Sequence, residues 1–156
     1  MKDFMYTEMY CHPGSVVIVD DIYPAHPLQG ERIRQSRFWT GDIWKIIRLL
    51  ESARPDLILL PLDTSPTGTL VIIGLDPNNR ELWEKFDDLM AWSINDWTET
   101  PDEIVNRTKK FDPCDPLITR IFTMIREGRE SGAELSTLEK IRSLIEGSLP
   151  RLVVQQ

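Results

Sequence analysis

The order of apolar and polar positions divides the chain into short elements. Residues 1–13 read as the end of a helix or a loop, with Met5, Met9 and Tyr10 on one apolar stripe that Pro13-Gly14 breaks. Val16 to Val19 form an unbroken β-branched run. A run without alternation predicts a strand buried on both faces, as in a parallel sheet covered by helices. Asp20 to Gly30, rich in proline, is a loop. Ile43, Ile46, Ile47 and Leu50 then recur at helical spacing, with Lys45, Arg48 and Glu51 turned away. Thr40 is the expected N-cap of that helix, Asp42 suits its positive end, and Pro55 stops it. Leu57 to Leu62 and Thr69 to Ile73 read as strands joined by the turn cluster Asp63 to Gly68, hence as an antiparallel hairpin. Pro61 cannot donate to a ladder and places its strand at an edge or a bulge.

The second half of the chain reads as helical. A turn at "DPNN" leads into an apolar face of Leu82, Trp83, Phe86, Leu89 and Met90, through to Trp92. Residues 93–116 are polar and proline-marked, a connector with one short helix near Glu103. Ile118 to Arg129 and Ser136 to Glu146 read as two helices separated by Gly128 and Gly132, with Ser136 and Glu139 spaced as a capping box. The predicted order is strand, helix, strand, strand, then helices. Three strands make a thin sheet, and the first, being apolar, is left with an open edge that invites pairing with another chain.

Composition narrows the class. The chain has 156 residues, 41% hydrophobic and 28% charged, enough for one domain with a sizeable core. The 18 basic and 25 acidic residues give a net charge of −7, which argues against nucleic-acid binding. No apolar run reaches bilayer length and the N-terminus lacks a signal core, so the expectation is a cytoplasmic protein without a membrane partner. Cys11 and Cys114 are too few and too distant for a disulfide framework or a zinc site, and are expected to be reduced thiols. There is no G-x-S-x-G elbow, no HExxH and no phosphate loop.

Three stretches in order carry a resemblance. "HPGSVVIVDDIYPAHP", "RFWTGDIWKII" and "ARPDLILLPLDTSPTGTLVIIGLDP" resemble the C-terminal half of class I S-adenosylmethionine-dependent methyltransferases, in the bacterial small-molecule type marked by "pGGvivvDD", "WTGDvWk" and "DtpPTGllvv". The likeness covers residues 8 to about 78, and "TPDEIVNRTKKFDP" is a weaker echo of the same subgroup. That family has a seven-stranded, mostly parallel sheet whose seventh strand is antiparallel. The resemblance makes Val16–Val19 strand five, Gly41–Ala53 the following helix, and Leu57–Leu62 with Thr69–Ile73 strands six and seven. It implies an α/β fold: a partial Rossmann-like sheet, one parallel strand-helix-strand unit plus an antiparallel hairpin, over residues 1–78. Residues 79–156 are then a helical tail packed on that unit or used for association. The family's glycine-rich cofactor loop and the acid after strand two have no counterpart here. The chain thus resembles a methyltransferase without its S-adenosylmethionine-binding half: a degenerate gene, a wrongly started reading frame or a partner-dependent fragment.

The site residues follow from strand ends. In open α/β sheets ligands bind beyond the carboxyl ends of the strands. Asp20 and Asp21 occupy that position and could supply two hard oxygens to Mg²⁺. The resemblance implies that such a metal would lower the pKa of a small-molecule acceptor before methyl transfer. The alternative is an Asp-rich strand exit that caps backbone amides. His26, in the following loop, is the neutral-pH base to consider beside Asp21, against an exposed loop imidazole. His12 lies at the other end of the strand and is given no role. Trp39, Thr40 and Asp42 form a loop-to-helix junction that could face an anionic substrate, or else a capped helix over a packed indole. Trp83, Trp92 and Trp97 are expected to pack helices, and Asp63, Thr64, Thr67 and Gly68 to form a turn. Association through the open edge, as a homo-oligomer or with a complementing chain, is the non-catalytic alternative.

Overall fold

A computed structural model describes residues 1–147. Its elements run α1 (Lys2–Glu8), β1 (Val16–Asp20), a 3₁₀ turn (Pro27–Gln29), a second 3₁₀ turn (Gly41–Trp44), α2 (Lys45–Ala53), β2 (Ile58–Leu62), β3 (Thr69–Ile73), α3 (Glu81–Glu84), α4 (Phe86–Asn95), α5 (Asp102–Val105), α6 (Pro116–Ser131) and α7 (Glu134–Glu146). The three strands form one sheet in the order β1-β3-β2. β3 is antiparallel to both neighbours, with Ile18 opposite Val71 and Leu60 opposite Val71 on its other side.

The β2–β3 hairpin is as expected, but the first pairing is not. β1 and β2 run in the same direction without touching, because β3 returns between them. Every ladder in the described sheet is therefore antiparallel, and no parallel pair of strands forms.

β3 holds the fold together by alternation. Leu70 and Ile72 are buried on one face, under Phe4, Trp44 and Leu50 of the α1–α2 layer. Val71 and Ile73 are buried on the other, against Ile121 of α6 and Ile141 of α7. Two helical layers thus sandwich a thin sheet, and the C-terminal helices pack on it directly. Among the described residues no helix is long and apolar enough to cross a membrane.

Burial on both faces fails for β1. Val16, Val17 and Val19 are half-buried and Ile18 is 62% exposed, since β1 has a neighbour on one side only. Pro61 does lie on an edge strand; its carbonyl accepts a hydrogen bond from the Phe111 N–H at 2.8 Å.

Several local expectations are corrected. In α1 Phe4 and Met5 face the core while Met9 and Tyr10 are exposed. Thr40 does not cap a helix: its hydroxyl donates to the Gln29 carbonyl at 3.0 Å, and Gly41, at φ +68°, opens a 3₁₀ turn before α2. The helix expected through Trp92 is broken between Glu84 and Phe86 and extends to Asn95. The Ser136–Glu139 box does not form, because α7 already starts at Glu134 and Ser136 donates to the Ala133 carbonyl. α6 has a true cap in Asp115, whose carboxylate accepts from the Leu117 N–H at 2.8 Å, with Pro116 at the first helical position.

One charged network ties α1 to this body. The Arg54 guanidinium, wholly buried, bonds Glu8 at 2.7 Å and Asp56 at 2.8 and 2.7 Å. Glu8 also accepts from the Asp76 N–H at 3.3 Å. Every polar atom of the guanidinium end is thereby engaged where water cannot reach.

Candidate functional site

Two features bear on function: the polar cluster beyond the carboxyl ends of β1 and β2, and the outer edge of β1.

In the cluster, Asp21 leaves the strand at φ +66°, a left-handed conformation that a short polar residue tolerates. The turn directs its carboxylate to the Thr67 hydroxyl, which donates at 2.7 Å. The Asp20 carboxylate turns back and accepts from the Asp21 N–H at 2.9 Å. Asp63, at the end of β2, accepts from Lys110 at 2.6 Å and from Arg107. The Lys110 hydrogen bond first, and then that of Arg107, hold its carboxyl below the usual range. The Arg107 guanidinium also donates to the Pro66 carbonyl and lies over the Tyr23 ring. Burial, reinforced by the negative charge of Asp63, pushes the Tyr23 phenol upward, and its hydroxyl donates to the Lys109 carbonyl. Gly68, at φ +67°, is needed here: a Cβ would sit 2.3 Å from the Tyr23 ring.

These contacts close the cluster on itself. A divalent cation would have to compete for Asp21 with the Thr67 hydroxyl. Among the described residues no three His, Cys, Asp or Glu side chains come together. The residues present therefore do not fit Mg²⁺, and Asp20–Asp21 is better read as a strand exit. His26 is exposed, and its Nδ1 accepts from the Leu28 N–H at 3.2 Å, capping the first 3₁₀ turn. Among the described residues no hydrogen bond joins it to Asp21.

The Trp39–Asp42 corner is likewise self-satisfied. Trp39 Nε1 donates to the Glu31 carbonyl at 2.6 Å, its ring lies beside Gly41, and Asp42 pairs with Lys45 at 3.4 Å. The Lys45 ammonium also donates to the Ser93 carbonyl at 2.9 Å. With a carboxylate at its start and a 3₁₀ turn in place of a regular first turn, the corner offers no anion cradle. No G-x-G turn occurs in the sequence.

Sequence reasoning missed Arg107 and Lys110, which belong to a polar connector and approach Asp63 only through folding. It also missed Glu8–Arg54–Asp56, since isolated charges between apolar residues read as solvent-facing.

The outer edge of β1 is different, because its groups are unpaired. Its directions follow from β2. The Phe111 N–H bonds the Pro61 carbonyl and the Asp63 N–H bonds the Phe111 carbonyl, so Pro61 and Asp63 turn their main-chain groups away from β3. Ile58, Leu60 and Leu62 then face β3 through Ile73, Val71 and Thr69. Leu70 and Ile72 must face β1, where their partners are Val19 and Val17. Val16, Ile18 and Asp20 therefore direct both N–H and C=O outward, and no strand meets them among the described residues.

A hollow flanks this edge on each face. One, of about 380 Å³, is lined by Val17, Val19, Phe4, Ile46, Leu49 and Met90. Asp42 reaches its rim, the one member of the predicted substrate corner to do so besides its partner Lys45. The other hollow, of about 510 Å³, is lined by Val16 and by Phe122, Ile125, Arg126, Arg129 and Glu130 of α6. Asp20, Asp21 and His26 line neither.

Compared with known proteins, the chain matches no family model, no curated protein and no solved structure.

Proposed function

We propose that this chain is a non-catalytic association module, built like the C-terminal half of a class I methyltransferase, that takes up a β-strand from another polypeptide along β1. The observation that carries this reading is the outer edge of β1: three residues whose outward main-chain groups meet no strand among the described residues, Ile18 62% exposed, and a hollow of mixed apolar and charged lining on either face. An edge this apolar, with no proline, bulge or lysine in Val16–Asp20 to discourage pairing, exposes amides that only another strand would satisfy in a dry setting. Light scattering on the purified chain tests the reading. Assemblies larger than a monomer that Ile18→Lys dissolves are expected; assemblies indifferent to that change count against it.

A second reading, methyl transfer to a small-molecule acceptor, is favoured by the co-directional β1 and β2 with α2 between them and β3 antiparallel. An antiparallel β3 is the direction that the resemblance implies for strand seven. The cofactor half would then have to come from outside the described residues. The cluster at the strand ends would line the acceptor side, with alignment of nucleophile and methyl group as the main catalytic effect. Calorimetry with S-adenosylmethionine separates the two readings: no heat from the isolated chain is expected, and binding by this chain alone would favour the second.

A further inference from the structure

We infer that the strand received by β1 is β1 of a second copy, antiparallel, about a two-fold axis through Ile18; this rests on the association reading above. The register follows from which groups point outward. With Ile18 opposite its own copy, Val16 stands opposite the second Asp20, and all three pairs are of the hydrogen-bonded kind, because these are the residues whose N–H and C=O face outward. Six main-chain hydrogen bonds would close the edge. A slip by one residue would set inward-facing groups against outward-facing ones and lose them.

Side chains agree with that register. Residues directly opposite in an antiparallel pair share a face. Val16, Ile18 and Asp20 all lie on the α6 side, since Val16 packs into the cluster of Ile121 and Ile125 and lines the hollow beneath α6. The second copy's Asp20 would thus arrive beside Val16, at the hollow rimmed by Arg126 and Arg129. Neither arginine forms an ion pair among the described residues, and the Asp20 carboxylate meets a backbone N–H but no cation there. The axis places two such acid-to-arginine contacts symmetrically and buries Ile18 against Ile18. On the opposite face Val17 and Val19 of one copy meet Val19 and Val17 of the other. A strand of this composition, apolar with one terminal carboxylate, suits a slot whose walls mix apolar and charged side chains. The net charge of −7 on each copy opposes association, but beyond about 8 Å it is screened at physiological ionic strength, whereas the paired charges would be in contact.

Sedimentation of the full chain tests this with Ile18→Lys, Asp20→Arg, Arg126→Glu with Arg129→Glu, and the combination of the last two. All positions are exposed, so folding, followed by circular dichroism, is expected to be unchanged. The expected pattern is a wild-type dimer, a monomer for Ile18→Lys, and at least about tenfold weaker dimerisation for either charge reversal. The combined reversal should recover to within about threefold of wild type. A dimer dissolved by Ile18→Lys but not rescued by the combined reversal overturns the two-fold register and leaves the edge reading intact. A wild-type monomer overturns pairing between copies. The edge reading falls with it only where the Ile18 amide of that monomer is protected from hydrogen exchange, because the edge would then be covered within the chain.

Discussion

Removing the Glu8 carboxylate tests how α1 is held. Arg54 sits at the end of α2 with none of its side chain exposed, and Glu8 and Asp56 are its two counter-charges. Breaking a buried ion pair by deleting one partner costs about 3–5 kcal/mol, because the survivor is left charged in a dry setting. Here Asp56 keeps two bonds to the guanidinium, so Glu8→Ala is expected to cost less, about 2–3 kcal/mol, through one lost charge-assisted bond and the orphaned Asp76 N–H. Glu8→Gln retains one acceptor but turns an amide N–H₂ toward a second donor, and about 1–2 kcal/mol is expected. The double change Glu8→Leu with Arg54→Met removes both buried charges and leaves Asp56, whose side chain is 47% exposed, to water. It is expected to lie within about 1 kcal/mol of wild type. Urea unfolding followed by tryptophan fluorescence reads all three. A Glu8→Ala cost below about 0.5 kcal/mol, the value of a surface pair, would refute the reasoning.

Gly68→Ala forces a left-handed alanine into the Tyr23 ring and is expected to cost about 2–4 kcal/mol in the same assay. Asp56 and Asp63 both have lowered carboxyl pKa values. For Asp56 burial acts in the opposite direction and the Arg54 hydrogen bonds overcome it. Their stabilisation is present above the unfolded value of about 3.9 and is lost as pH falls through the folded values. Unfolding free energy should therefore drop below about pH 4, and Asp63→Asn should flatten part of that slope. Tyr23 has the opposite sense: its raised pKa keeps the folded phenol neutral while the unfolded one ionises near pH ~10. Of the three tyrosines, one should fail to ionise in an ultraviolet titration until alkaline unfolding, and Tyr23→Phe should abolish that late step.

What the sequence made legible was local. The β-branched run at Val16, the hairpin about Asp63–Gly68 and the helical spacing of Ile46, Ile47 and Leu50 each encode an element within their own few residues, and each is found, although Ile43 is exposed in the preceding 3₁₀ turn and Lys45, expected to face away, is buried. The place of β3 between β1 and β2 is a long-range pairing that no local pattern carries, so a parallel unit was expected and an antiparallel sheet is observed. Caps failed for a related reason. Thr40 and Ser136 have the right chemistry, but Thr40 is drawn to Gln29, eleven residues away, and α7 begins two residues before Ser136. The acids at the strand exit were placed correctly along the chain. Their meaning depended on Thr67, 46 residues from Asp21, and on Arg107 and Lys110, 44 and 47 residues from Asp63. Such partners engage Asp21 and Asp63 through contacts that no local pattern carries. The open edge was legible because counting strands needs no long-range contact.

The most direct measurement is amide hydrogen exchange along β1 at low and high protein concentration. The Val17 and Val19 amides face β3 and serve as internal references, protected throughout. The account predicts that the Ile18 and Asp20 amides exchange freely at dilution and become protected as the concentration rises. Protection of Ile18 at every dilution would contradict the open edge, and free exchange of Ile18 at every concentration would contradict pairing between copies.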